Sequence, residues 1–212
     1  MASARSGGWV DQDSRTQEGL ALLTGRRPDA RGYGDPAVKF AAFLRATNVG
    51  GHQTLKPSAV AKNLSGLGTV SIGAAGTFVF LRAAGGAEVR AAIRSSLPFE
   101  PEMAVCPGAK VVALANSRPF GREPPRGGER RFVTVLTARP SEKPNLPLDR
   151  PEGSAWQLRV LRAEGPFVLS LRRPHQPGKF YPNDAVEKAF GVPATTRAWS
   201  TFEAVCRALE EG

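Results

Sequence analysis

The chain has 212 residues, 41% of them hydrophobic and 23% charged, and a formal net charge of +10. That length holds one large domain or two small ones with a substantial core, and the balance excludes a low-complexity or disordered chain. Apolar runs break at Arg, Gly or Pro well short of the ~18 residues of a membrane span, so no membrane partner is expected.

The opening residues, MASARSGGWVDQDS, lack an apolar core followed by a small-residue cleavage site. No secretory signal is read there, and a cytoplasmic location is the expectation. The first 35 residues hold five Arg and five acidic residues, so the excess charge lies from residue 36 onward. Arg outnumbers Lys 22 to 7 in a chain also rich in Ala, Gly and Pro. GC-rich codons would produce this bias, and so would selection for a polyanionic partner; charge alone raises affinity for any polyanion without naming one.

Residues 1–35 show no sustained periodicity and read as a loosely ordered extension. AVKFAAFLRAT (37–47) is a short apolar run that predicts a buried strand, followed by the loop NVGGHQTL. Pro57 suits a first helical position, with Val60 and Leu64 at helical spacing. TVSIGAAGTFVFLRA (69–83) divides at Gly73–Gly76 into two strands. GAEVRAAIRSSL predicts a helix, EMAVCPG a strand and AKVVALANS a short helix. Strand, helix, strand, strand, helix, strand is the order of a ferredoxin-like, split βαβ unit.

SRPFGREPPRGGERR (117–131) has too little apolar content to bury a face and predicts an exposed basic connection. RFVTVLTA restarts a strand, and the proline-rich stretch 139–153 leaves room for at most one helical turn. AWQLRVLRAEGPFVLSLRR predicts a hairpin around Glu164–Gly165. Asn183 is placed to cap a helix through DAVEKAF, with Gly191 as its left-handed stop. PATTRAW is the last strand, and Ser200 and Glu203 have capping-box spacing ahead of a final helix. The expected fold is therefore α+β: two ferredoxin-like halves with antiparallel sheets (36–116 and 131–212), a basic linker (117–130) and a C-terminal helix.

Two blocks identify a resemblance. FLRATNVGG (43–51) and NDAVEKAFGVPATTRAWST (183–201) are similar to the opening strand and closing block of a bacterial family catalogued as domain of unknown function 1697. Lys179 looks like a basic residue that precedes the family's closing block. A polar Gln-Ser-Gly-Asn turn of that family reads Ala74-Ala75-Gly76-Thr77 here, and the Asn pair around its late Trp reads Ala198 and Ser200. The resemblance implies two ferredoxin-like halves over about residues 37–210 and candidate positions, but no reaction.

No catalytic motif emerges. His52 and His175 sit in no recognisable triad, and neither phosphate-loop pattern occurs. Cys106 and Cys206 lie in apolar contexts without metal-ligand spacing, so no cofactor or metal is expected. Phe78 and Phe80 share a strand face, as either core or a base-stacking platform. Arg118, Arg122, Arg126, Arg130, Arg131, Arg172 and Arg173 are electrostatic candidates for nucleic acid, because flexible Arg meets phosphates without exact geometry. Arg45, Asn48, Lys179, Thr196, Arg197 and Trp199 are candidates for a small anionic ligand in a cleft between the halves. In the last strand Thr195, Arg197 and Trp199 point one way, and the simpler reading is that Arg197 and Trp199 brace the final helix. The expected function is non-catalytic binding of an anionic partner, nucleic acid first. The alternative is an enzyme or binding protein for a phosphorylated or carboxylated small molecule. Sequence leaves the oligomeric state open.

Overall fold

In the computed structural model, residues 38–45, 55–122, 126–173 and 181–212 are described. Ala37–Gly212 forms one compact unit, and the extension 1–35 lies outside the described residues. The fold is α+β, with two antiparallel sheets. The first half comprises β1 (Val38–Leu44), α1 (Pro57–Asn63), β2 (Thr69–Ser71), β3 (Thr77–Ala83), α2 (Gly86–Ser96), β4 (Met103–Pro107) and α3 (Gly108–Asn116). Its strands lie in the order β2-β3-β1-β4. Pro57 opens α1, where a preset φ and a missing N–H cost nothing.

The second half comprises β5 (Arg130–Leu136), β6 (Leu148–Arg150), β7 (Leu158–Glu164), β8 (Phe167–Arg172), α4 (Pro182–Phe190), β9 (Ala194–Ala198) and α5 (Trp199–Glu211). Its sheet order is β6-β7-β8-β5-β9. The edge strand β6 was not expected in the proline-rich stretch. Prolines are tolerated at an edge, and both carboxylate oxygens of Asp149 accept from Arg159 of β7 at 2.7 Å, fastening β6 to its neighbour.

Two cap expectations are corrected. α4 begins at Pro182 after Tyr181, without a side-chain cap, and the Asn183 amide instead donates to Glu187 Oε1 at 3.0 Å. α5 begins at Trp199 directly from β9, so Ser200 and Glu203 are inside the helix and form no capping box. The strand runs into the helix with no intervening turn, which leaves Ala198 alone in the flanking position. Gly191 does adopt the left-handed conformation, with φ of 67°.

Period-two alternation gives the central strands β1, β3, β5 and β8 apolar side chains on both faces, and the described residues form three cores. Ala41, Phe43 and Val79 of the first sheet meet Val133, Val135, Phe167 and Leu169 of the second in a shared core. α3 contributes Val111 and Leu114 to it, and α5 contributes Phe202, Val205 and Leu209. Phe78 and Phe80 lie on the opposite face, fully buried with Val60, Val89 and Ile93 of α1 and α2. They are core residues of their own half, neither a stacking platform nor part of the junction. The third core joins Leu136, Val160 and Val168 to Val186 and Phe190 of α4.

Phe202 is the hinge of the shared core. Its ring is 6.2 Å from Phe43 of the first sheet, 5.5 Å from Phe167 of the second, and stacked at 5.5 Å on Trp199. Phe202→Ala is expected to destabilise the fold by about 3–5 kcal/mol, through lost burial and a residual cavity. Urea titration should show this loss in a single transition that carries both sheets together.

Candidate functional site

Alternation in β9 turns Thr195 and Arg197 toward the first half. Arg197 is 7% exposed, and each of its five N–H donors has an acceptor. Nε donates to Thr77 Oγ1 at 2.6 Å; Nη1 donates to Thr195 Oγ1 at 2.7 Å and to the Thr196 carbonyl at 2.9 Å. Nη2 donates to the Leu44 carbonyl at 2.8 Å and the Ala75 carbonyl at 2.6 Å. The Thr195 hydroxyl donates to the same Leu44 carbonyl at 3.1 Å. All these acceptors are neutral. Desolvation lowers the pKa of Arg197 to about 10, which still leaves it a cation at neutral pH. The turn at Ala74–Thr77 contributes mainly backbone carbonyls, so its missing Gln and Ser side chains do not remove this contact.

The neighbouring cation, Arg45, is also occupied. Its Nε and Nη2 meet both oxygens of Glu187 at 2.7 and 3.1 Å, and Nη1 meets Glu102 at 2.8 Å. Glu187 further accepts from the Ala194 N–H at 2.8 Å and from Asn183. Burial alone would raise the Glu187 pKa, but Arg45, the Ala194 N–H and Asn183 together hold it below the ordinary value. Thr196 points to the other face of its strand, with Oγ1 2.8 Å from Thr134 Oγ1 and 3.4 Å from Asn183 Oδ1. Arg197 thus reaches the end of β1 through the Leu44 carbonyl, and Arg45 crosses the junction to Glu187, so the donors of both are engaged by protein groups. Asn48 and Lys179 lie outside the described residues, as do His52 and His175.

Trp199 belongs to a different arrangement. It starts α5 and lines a cavity of about 350 Å³ with Arg118, Phe120, Arg122, Arg131 and Glu203. Phe202 stacks parallel to the indole, and Phe120 stands edge-on to it at 5.1 Å. The Arg131 guanidinium lies 5.4 Å from the Phe120 ring centre, and its Nη2 donates to the Phe120 carbonyl at 3.4 Å. Arg118 and Arg122 are exposed. Arg118 has φ of 50°, a left-handed backbone that is uncommon for a side-chain-bearing residue, and its carbonyl accepts from the Gly121 N–H at 2.8 Å. This folded turn carries Phe120 back over Trp199, so the start of the expected linker is part of the body. Phe120 and Glu203 were missed in the sequence: the first is embedded in Pro, Gly and Arg, and the second was assigned to a cap.

The remaining arginines are dispersed. Arg126 opens a short 3-10 turn, and exposed Arg130 sits in register with Arg172. Arg172 lies over Tyr181 at 5.3 Å. Arg173 lies 3.8 Å from the centre of Trp156, with Arg159 4.6 Å from the same centre. Cys106 and Cys206 are buried and free, and burial pushes the Cys106 thiol up to about 12, which suppresses its reactivity. Among the described residues no group of His, Cys, Asp or Glu is arranged to hold a metal, and no helix is long and apolar enough to cross a membrane.

Two expectations test the clasp at the junction. Arg197→Lys keeps the charge but cannot reach acceptors on three segments, and should cost about 2–4 kcal/mol in a urea titration. The Glu187 pKa is depressed on folding, so its contribution is present above the unfolded value and lost as pH falls through the folded one. Glu187→Gln should therefore be less stable than the parent at neutral pH. The gap should narrow once the solution is more acidic than the ordinary carboxylate value of 4.5.

Among solved structures, the fold is similar to that of the conserved bacterial protein SP0830 from Streptococcus pneumoniae. The TM-score is 0.51 at 15% identity, covering 81% of this chain and 98% of that one. At that identity the likeness concerns the fold alone. No curated protein matches the chain. A family model described as "Protein of unknown function (DUF1697)" matches residues 38–163, more than half of the chain. That range carries Arg45, Arg118, Arg122 and Arg131, and it ends ahead of Glu187, Arg197 and Trp199. The chain belongs to the DUF1697 family.

Proposed function

We propose that this protein binds an anionic partner without catalysis, that nucleic acid in single-stranded form is the first candidate, and that the cavity beside Trp199 is where it binds. The observation that carries this reading is the pairing of Arg118, Arg122 and Arg131 with Trp199 and Phe120 around one cavity. Guanidinium groups recognise phosphate, while aromatic side chains stack unpaired bases. The contrast with Arg45 and Arg197 supports it. Those two are consumed by protein acceptors, whereas the side chains of Arg118 and Arg122 make no hydrogen bond or ion pair among the described residues.

A small phosphorylated or carboxylated molecule is the second reading. It is favoured by the cavity volume of about 350 Å³, within the range of about 300–1,000 Å³ for small-molecule sites. Both readings use the same side chains. We further infer that the halves are two ferredoxin-like units: β2-β3-β1-β4 and β7-β8-β5-β9 follow the same order. The second unit then has β6 as an addition and no counterpart of α1.

The test is fluorescence anisotropy of a labelled single-stranded oligonucleotide of about a dozen residues, titrated between about 50 and 300 mM salt. The double variant Arg118→Glu, Arg122→Glu should bind at least about 10-fold more weakly. Its log–log salt slope should be shallower by about 1.4, from two lost phosphate contacts at about 0.7 each. No binding at low salt, or binding indifferent to both reversals, overturns the nucleic-acid reading.

A further inference from the structure

Glu203 is out of place in a site that serves only to hold an anion. It lies four residues after Trp199, one turn along the same face of α5, and lines the cavity that the arginines share. Its side chain makes no hydrogen bond or ion pair with any described residue, although cationic side chains share the same walls. A carboxylate beside phosphate-binding groups weakens anion binding unless it meets a hydrogen-bond donor on the same ligand. Ionised, it can only accept hydrogen bonds, and its two oxygens suit two parallel N–H donors.

We infer that the cavity holds one nucleotide, with its base against Trp199 and Phe120, and that Glu203 selects guanine by accepting from adjacent N–H groups on the base edge. This inference rests on the nucleic-acid reading above. Guanine alone among the four common bases carries a ring N–H beside an exocyclic amino group on its pairing edge. Cytosine and adenine offer an amino group beside a ring acceptor. Uracil offers one N–H flanked by two carbonyl oxygens, which face a carboxylate unfavourably. The expected order is guanine, then cytosine and adenine, then uracil. The gap between first and last should be about 10-fold or more, in line with the discrimination of a bidentate contact.

Calorimetric titration of the full chain with GMP, AMP, CMP and UMP tests the selection, alongside the oligonucleotide assay. The parent should bind GMP at least about 10-fold more tightly than UMP. Glu203→Gln keeps the shape but loses the charge and one acceptor. It should bring GMP and UMP to within about 2-fold, with UMP binding unchanged or tighter as a repulsive charge is removed. Equal affinity for all four nucleotides, or a GMP preference that survives Glu203→Gln, overturns the selection. If that equal binding still weakens with Arg118→Glu, Arg122→Glu, the anion site stands without base selection. If neither nucleotides nor oligonucleotides bind, both the selection and the reading beneath it fail.

Discussion

The two halves meet around one buried cation that has no counter-ion among the described residues. Burying an isolated guanidinium is costly, and it persists only where every N–H finds an acceptor. Arg197 meets that condition with acceptors from β9 itself, from the end of β1 and from the β2–β3 turn. Any rotation of one sheet on the other would separate a donor from its acceptor in a low-dielectric setting. The shared apolar core supplies most of the driving force for docking, but apolar contact is non-directional and tolerates sliding. The guanidinium fork does not, and it sets the angle at which Phe202 enters between Phe43 and Phe167.

Seen this way, the arginines do two kinds of work. Arg45 and Arg197 spend their donors inside the protein, one on carboxylates and the other on carbonyls and hydroxyls. Arg159 and Arg173 flank Trp156 and tie down the periphery of the second sheet. A net charge of +10 thus overstates the cation available to a ligand. What distinguishes the Trp199 cavity is cations on a rim next to apolar rings, where desolvation and stacking can add to charge.

Much of the fold was legible because its signals are local. Pro57 and Gly191 mark a helix start and a helix end by backbone chemistry alone, and the alternation in β9 placed Thr195 and Arg197 on one face. The partners of Arg197 were not legible, because carbonyls carry no side-chain signature and Leu44 is 153 residues away. Glu187 could not be assigned to Arg45 for the same reason, since 142 residues separate them. Asn183 and the Ser200–Glu203 pair had cap spacing, but Pro182 and the direct strand-to-helix passage at Ala198 moved each boundary by a residue or two. Phe120 was hidden by composition. A stretch of Pro, Gly and Arg reads as solvated, yet one aromatic in it is enough to fold it back onto Trp199.

That folded turn links the clasp to the site. Arg118, Phe120 and Arg122 follow α3 of the first half, whereas Arg131, Trp199 and Glu203 belong to β5 and α5 of the second. The cavity therefore has walls from both sides of the junction and exists only while the halves are docked. Trp199 lies two residues beyond Arg197, so the carbonyls that seat the guanidinium also set where α5 begins and where the indole faces. A ligand that fits between these walls would bind the docked arrangement alone and stabilise it by mass action. The departures in the Ala74–Thr77 turn and at Ala198 and Ser200 then have different weights. The turn keeps its grip on Arg197 through backbone oxygens and Thr77. Ala198 and Ser200 flank Trp199 in sequence, at the passage from β9 into α5.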